Sequence, residues 1–176
     1  ETGLRFGSAL GIFWSRRGYL REGSLWLERL LTHAKDSSPG LRAKTMAPAG
    51  WLAFAQGNFE QARLLDDECL TLFRQVGDKP GMVDALNQRG QLALFQNDFP
   101  HAGACFGESL AICEELDLRL ERAWPLLFQG QVALFMLQWN QQAKVLCQES
   151  LTLFSELDDK TRQAHAHIIL GEGAHY

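Results

Sequence analysis

Five histidines, four cysteines and a few adjacent carboxylates are the residues with the chemistry to act on a substrate. His165 and His167 are two residues apart, so on a helix their rings diverge by about 200° and do not share a metal. His33, His101 and His175 stand alone in sequence, and no His-Glu-x-x-His zinc pattern occurs. Exposed or groove-facing histidines are therefore expected. Cys69, Cys105, Cys113 and Cys147 form no Cys-x-x-Cys pair, which excludes a zinc knuckle and a redox dithiol. Cys105 and Cys113 lie eight residues apart, on one helical face but beyond disulfide reach. The four read as buried thiols acting as small apolar side chains, in a reducing, cytoplasmic setting. Asp66-Asp67 and Glu114-Glu115 are helical neighbours whose carboxylates diverge, which suits solvated faces rather than paired acid–base work. No Gly-x-x-x-x-Gly-Lys-Ser/Thr phosphate loop is present. With no nucleophile–base pair, metal set or cofactor loop, the chain is expected to be no enzyme and to carry no cofactor and no metal.

The balance of charge points the same way. The 176 residues are 46% hydrophobic and 22% charged, with 17 basic against 21 acidic side chains and a formal charge of −4. Phosphate backbones are held by clustered Lys and Arg, so direct nucleic-acid binding is not expected. Arg16, Arg17 and Arg21, the nearest approach to a basic cluster, read as a solvated helix end. No apolar run reaches the roughly 20 residues that span a bilayer. Glu1-Thr2-Gly3 reads as a remnant ahead of an already helical pattern, and the native protein is expected to extend at both ends.

The elements that must position these residues repeat. Gly50-Trp51-Leu52-Ala53, Gly90-Gln91-Leu92-Ala93 and Gly130-Gln131-Val132-Ala133 recur at a 40-residue step. Nine positions after each glycine comes an aromatic residue, Phe59, Phe99 or Trp139. Ala62, Ala102 and Ala143 follow, the last displaced by one inserted residue. Glu68-Cys69-Leu70, Glu108-Ser109-Leu110 and Glu149-Ser150-Leu151 repeat further on, with Glu28 and Gly11 in the same register upstream and Gly171 downstream. Ala102, Cys105, Phe106, Ser109, Leu110, Cys113 and Leu116 form one helical stripe, and Ala143, Leu146, Cys147, Ser150, Leu151, Phe154 and Leu157 repeat it.

Gly57-Asn58, Asn97-Asp98 and Arg17-Gly18 mark tight turns, because Gly and Asn tolerate positive φ. Asp36-Ser37-Ser38-Pro39-Gly40 and Gly77-Asp78-Lys79-Pro80-Gly81 separate hairpins. The pattern predicts one all-α repeat domain over 1–176, with hairpins at 4–35, 40–76, 80–117 and 120–157 and an extra helix at 160–174. A lone hairpin cannot bury its apolar face, so the units are expected to stack into a right-handed superhelical solenoid. Pro125 sits about five residues into the helix expected from Leu120, so that helix should start late, near Ala123, or bend. Ile168, Ile169 and Leu170 of the last helix are expected to cover the preceding hairpin, while the far side lacks its neighbour and leaves an apolar end that self-associates or meets a missing segment.

The small residue of the first helix, the aromatic after a Gly/Asn/Asp turn and the alanine beyond it resemble the tetratricopeptide repeat. The unit is longer than the usual 34 residues, and Ala53, Ala93 and Ala133 stand where that repeat has tyrosine. Ala55-Gln56-Gly57-Asn58-Phe59-Glu60-Gln61-Ala62-Arg63 together with Glu68-Cys69-Leu70-Thr71-Leu72-Phe73 is similar to repeats in bacterial signal-transduction ATPases and LuxR-type transcriptional regulators. The resemblance implies a curved surface that binds protein or peptide, or self-association through terminal helices, in a regulatory or oligomerisation arm.

It also implies that the first helix of each hairpin lines the concave side. Candidate groove residues are then Trp51, Phe54, Asn87, Gln91, Leu94, Phe95, Trp124, Leu127, Gln131 and Phe135, flanked by Lys44, Ala47, Ala55, Asp84 and Leu134. Two readings of this apolar face stay open, a binding groove and side chains buried against one another. Two ligand classes also stay open: a peptide in an open trough, or a metabolite or inducer in an enclosed cavity.

Overall fold

The computed structural model describes residues 1–33, 35–136, 138 and 140–175. Among these, nine α-helices and no strand are found: α1 Thr2–Arg17, α2 Leu20–His33, α3 Pro39–Ala55, α4 Phe59–Val76, α5 Lys79–Phe95, α6 Phe99–Glu115, α7 Ala123–Phe135, α8 Gln141–Glu156 and α9 Lys160–Gly173. Trp139, the aromatic expected in the third unit, lies outside the described residues. No described helix is long and apolar enough to cross a membrane.

The helix ends follow from local chemistry. Asn58, Asp98, Asn140 and Asp159 each accept a hydrogen bond from a backbone N–H of the first turn, at Gln61, His101, Ala143 and Arg162. Gly18 and Gly77 end α1 and α4 at φ 76° and 69°. Asn97, Asp117 and Asp158 adopt the same left-handed conformation at φ 61°, 52° and 50°. The expected helix from Leu120 is shorter than its repeat suggests. It begins at Ala123, so Pro125 falls in the first turn, where a missing N–H costs no helical bond.

The helices form two compact units, Glu1–Leu92 and Ala93–Tyr176. In the first, α1 packs on α2 and α3, α2 also packs on α3, and α3 packs on α4. In the second, α6 packs on α7, α7 on α8, and α9 on both α7 and α8. Within each unit, one hairpin thus covers the next one's apolar face, as repeat stacking requires.

Close approach depends on the helix glycines. A Cβ on Gly130 would lie 2.1 Å from Cys147 Sγ, and one on Gly50 would lie 2.3 Å from Asp66 Oδ1. A third contact was not legible in the repeat: Pro48 sits inside α3, and a Cβ on Gly11 would fall 2.3 Å from the Pro48 ring. The proline costs α3 a backbone bond, and its ring lodges against the bare backbone of α1.

Polar side chains on the seams reach carbonyls of the neighbouring helix. Buried Thr45 Oγ1 lies 3.2 Å from Leu4 O and 3.0 Å from Leu41 O. Ser150 Oγ donates to Ala123 O at 2.7 Å, and Cys69 Sγ to Ala43 O at 3.3 Å. All four cysteines are buried, and none forms a disulfide. Of the three large apolar residues near the end of α9, Ile169 is buried, Leu170 half-buried and Ile168 exposed.

Candidate functional site

In the first unit the α3 face carries a short aromatic row. Trp51 is half-buried, and its Nε1–H donates to Ser15 Oγ of α1 at 2.9 Å. Its ring centre is 5.6 Å from that of Phe54, which lies 5.9 Å from Phe59. Phe54 and Phe59 rest on buried Ala53, Ala62 and Leu92. The row therefore has a packed underside and a partly open upper side, the arrangement aromatic anchors use. On α5, Asn87 and Gln91 are half-buried, and Asn87 Oδ1 has no hydrogen-bond partner despite being shielded.

In the second unit the candidates divide. Leu94 is half-buried on the cluster of Ala93, Ala102, Phe106, Phe128 and Val132. Phe95 is 60% exposed and Phe135 46% exposed, and the Phe135 ring sits 5.4 Å from Phe99. Trp124 is half-buried, 5.0 Å from Phe128, with the Arg162 guanidinium 4.2 Å above its ring. That cation–π contact ties α9 to α7. Leu127, which the spacing grouped with the surface, is fully buried among Ala123, Leu126, Cys147 and Phe154 and lines no face. Leu134 is buried in the same cluster. Gln131 is half-buried, its Oε1 shielded and unpartnered. His165 meets Phe128 edge-on at 5.8 Å, and burial holds its imidazole below the ordinary range.

Two features escaped the sequence reading. Arg162 carries no local signal for its place over Trp124, since it comes from the next hairpin. Asp66 had a signal: in the repeat register it stands where Phe106 and Cys147 stand, a carboxyl on a packing stripe.

Three clefts lie elsewhere. One of about 690 Å³ runs between α2 and α4, with Met46, Ala49 and Ala53 as its floor and Glu28, Arg42 and Glu68 on its rim. A second, about 360 Å³, is lined by Glu114, Arg119, Arg122 and Glu149. A third, about 610 Å³, surrounds Tyr19 and Gln56. None of the ten candidates lines them. Arg122 bridges Glu149 at 3.1 Å, and Arg119 pairs with Glu156 just outside the lining, so the second cleft's cations are already matched by neighbouring acids. No three His, Cys, Asp or Glu side chains converge as a metal site among the described residues.

Helical hairpins stacked through small-residue seams, with aromatic rings half-set in their first helices, define an all-α helical-repeat fold. Residues 49–115 match the tetratricopeptide repeat family, whose members generally mediate protein–protein contact and are typically non-catalytic. Among solved structures, the chain is similar to the "kinesin light chain nearly identical TPR-like repeats" of Podosopora anserina. The likeness has a TM-score of 0.69 at 12% identity and covers 97% of this chain and 93% of that one. A point variant of that same protein gives a TM-score of 0.68 at 12% identity, over 97% and 92%. At that identity the likeness concerns the fold. No curated protein sequence matches the chain significantly.

Proposed function

We propose that this chain is a non-catalytic scaffold that binds a protein or peptide through the first helices of its hairpins. The observation that carries the reading is the exposure of Phe95 and Phe135, 60% and 46%, at equivalent repeat positions. The exposed rings of Phe95 and Phe135 are complementary to the apolar side chains of a peptide. The rings supply the contact area for a docked segment.

The resemblance of the 55–73 segment to repeats of bacterial signalling ATPases and LuxR-type regulators supports a regulatory or oligomerisation arm in such a protein. Self-association through a terminal helix belongs to this reading. Phe6, Leu10 and Phe13 of α1 lie at i, i+4 and i+7 and are all exposed.

A displayed random-peptide library selected on the whole chain tests the proposal. Selected peptides should bind Trp51→Ala and Phe95→Ala chains at least about tenfold more weakly, a loss of about 1.4 kcal/mol. Unchanged affinity in both variants would overturn it.

A further inference from the structure

Four residues beyond Ala62, Ala102 and Ala143 stand Asp66, Phe106 and Cys147, all buried. Phe106 and Cys147 belong to the apolar stripe, and Cys147 Sγ fills the hollow opposite Gly130. The carboxyl of Asp66 fills the corresponding hollow opposite Gly50. A carboxylate loses its hydration there, so the neutral form is favoured unless a cation reaches it.

The surrounding charges do not supply that cation directly. On α4, Asp67 is the adjacent like charge, and Cys69 is a buried thiol. On α3 the charged side chains, Arg42 and Lys44, bridge Glu68 at 3.2 Å and Asp78 at 3.1 Å. On α5, Asp84 is exposed, and Arg89 directs its guanidinium to Asp67 Oδ1 at 3.0 Å. Gln88, its amide turned to donate, lies 3.3 Å from Asp66 Oδ1 and 3.0 Å from Ala47 O, so one side chain joins all three helices, and its donated bond favours the ionised carboxyl and works against the effect of burial. Burial, reinforced by Asp67 and opposed by Arg89, raises the Asp66 carboxyl to about 7.

We propose that Asp66 is a proton-operated latch of the α3–α4–α5 stack, closed with a neutral carboxyl and loosened when that carboxyl ionises. The sign follows from the folded value lying above the free one, 3.8. The folded chain holds a proton that the unfolded chain releases, so stability falls as pH rises from about 4 through about 7. Ala47 lies one helical turn from Trp51, and Gln88 follows Asn87, so ionisation disturbs the backbone that carries the aromatic row. The latch stands whether or not that row binds a peptide.

Carboxyl ¹³C NMR of the whole chain titrates Asp66 directly, and its midpoint should fall near neutral pH rather than near 4. Urea unfolding of wild type and Asp66→Asn between pH 5.5 and 8.5 gives the second reading. The ratio of their unfolding constants should change by at least about tenfold, a discounted part of the roughly thirtyfold implied by the about 1.5 pH units between 5.5 and a folded midpoint near 7, above which both states are ionised. Histidine titrations are common to both chains and cancel in that ratio. His33, the one histidine before residue 92, is exposed on α2. An Asp66 midpoint below pH 5, or an unchanged ratio, would overturn the latch. If Asp66→Asn does not fold, the wild-type titration decides alone.

Discussion

Replacing Gly130 by alanine tests whether the repeat glycines are present for close helix approach. The added methyl would sit 2.1 Å from Cys147 Sγ, far inside contact distance, so α7 and α8 must separate or Cys147 must leave its place. Overpacking of this kind costs about 1–3 kcal/mol and is offset in part by the roughly 1 kcal/mol that alanine gains over glycine in a helix. Gly130→Ala should therefore destabilise by up to about 2 kcal/mol. Cys147→Ala removes a buried sulfur and should cost a similar amount through the void it leaves. The double variant is the informative one. The new methyl would lie 3.7 Å from Cys147 Cβ and 3.5 Å from Ala143 O, both ordinary contacts, and would occupy the space the sulfur vacated. Urea unfolding of the four chains should give a favourable coupling of at least about 1.5 kcal/mol, with the double variant close to wild type. Additive losses within about 0.5 kcal/mol would refute close packing at this seam.

Phe95→Ala should lower stability by less than about 1 kcal/mol, since most of the ring is in water, whereas Trp124→Ala should cost about 3 kcal/mol in thermal unfolding. Equal losses would mean the two rings share one environment. Thr45→Val removes the buried hydroxyl near Leu4 O and Leu41 O and should cost about 1–2 kcal/mol, read by denaturant midpoint. Phe6→Glu with Phe13→Glu should lower the mass found by sedimentation at high concentration if α1 mediates self-association. An unchanged distribution would exclude that helix.

How far the sequence could be read depended on whether a contact is local to its repeat. The turns were legible because Gly57, Asn97 and the capping Asn and Asp residues act within a few positions of themselves. Pro125 was legible for the same reason, since a proline restricts its own turn whatever surrounds it. Pro48 was not, because its place in mid-helix is tolerated only against Gly11, thirty-seven residues earlier. The groove residues were the least legible. Ala47, Asn87 and Leu127 share one repeat position, yet Leu127 alone is fully buried, closed over by neighbours from α8 and α9. Register gives the face of a helix, and its exposure depends on what the next hairpin lays over it. For Asp66 the register was informative, and the misleading element was its partly exposed neighbour Asp67, which made the pair look like a solvated face.

The buried cysteines provide a set of internal reporters. Cys69 sits in α4, Cys105 and Cys113 in α6, and Cys147 in α8, all of them buried, with Cys69 against α3 and Cys147 against α7. Burial pushes the Cys147 thiol up to about 12 and raises Cys69 well above its usual value, so a closed seam is unreactive as well as hidden. An alkylating reagent can then mark a thiol only after its hairpin opens, and the labelling rate measures that opening under fully native conditions. Single-cysteine chains would give a separate clock for each seam. A ladder of unequal rates would show a chain that frays hairpin by hairpin, and one shared rate would show units that open all at once.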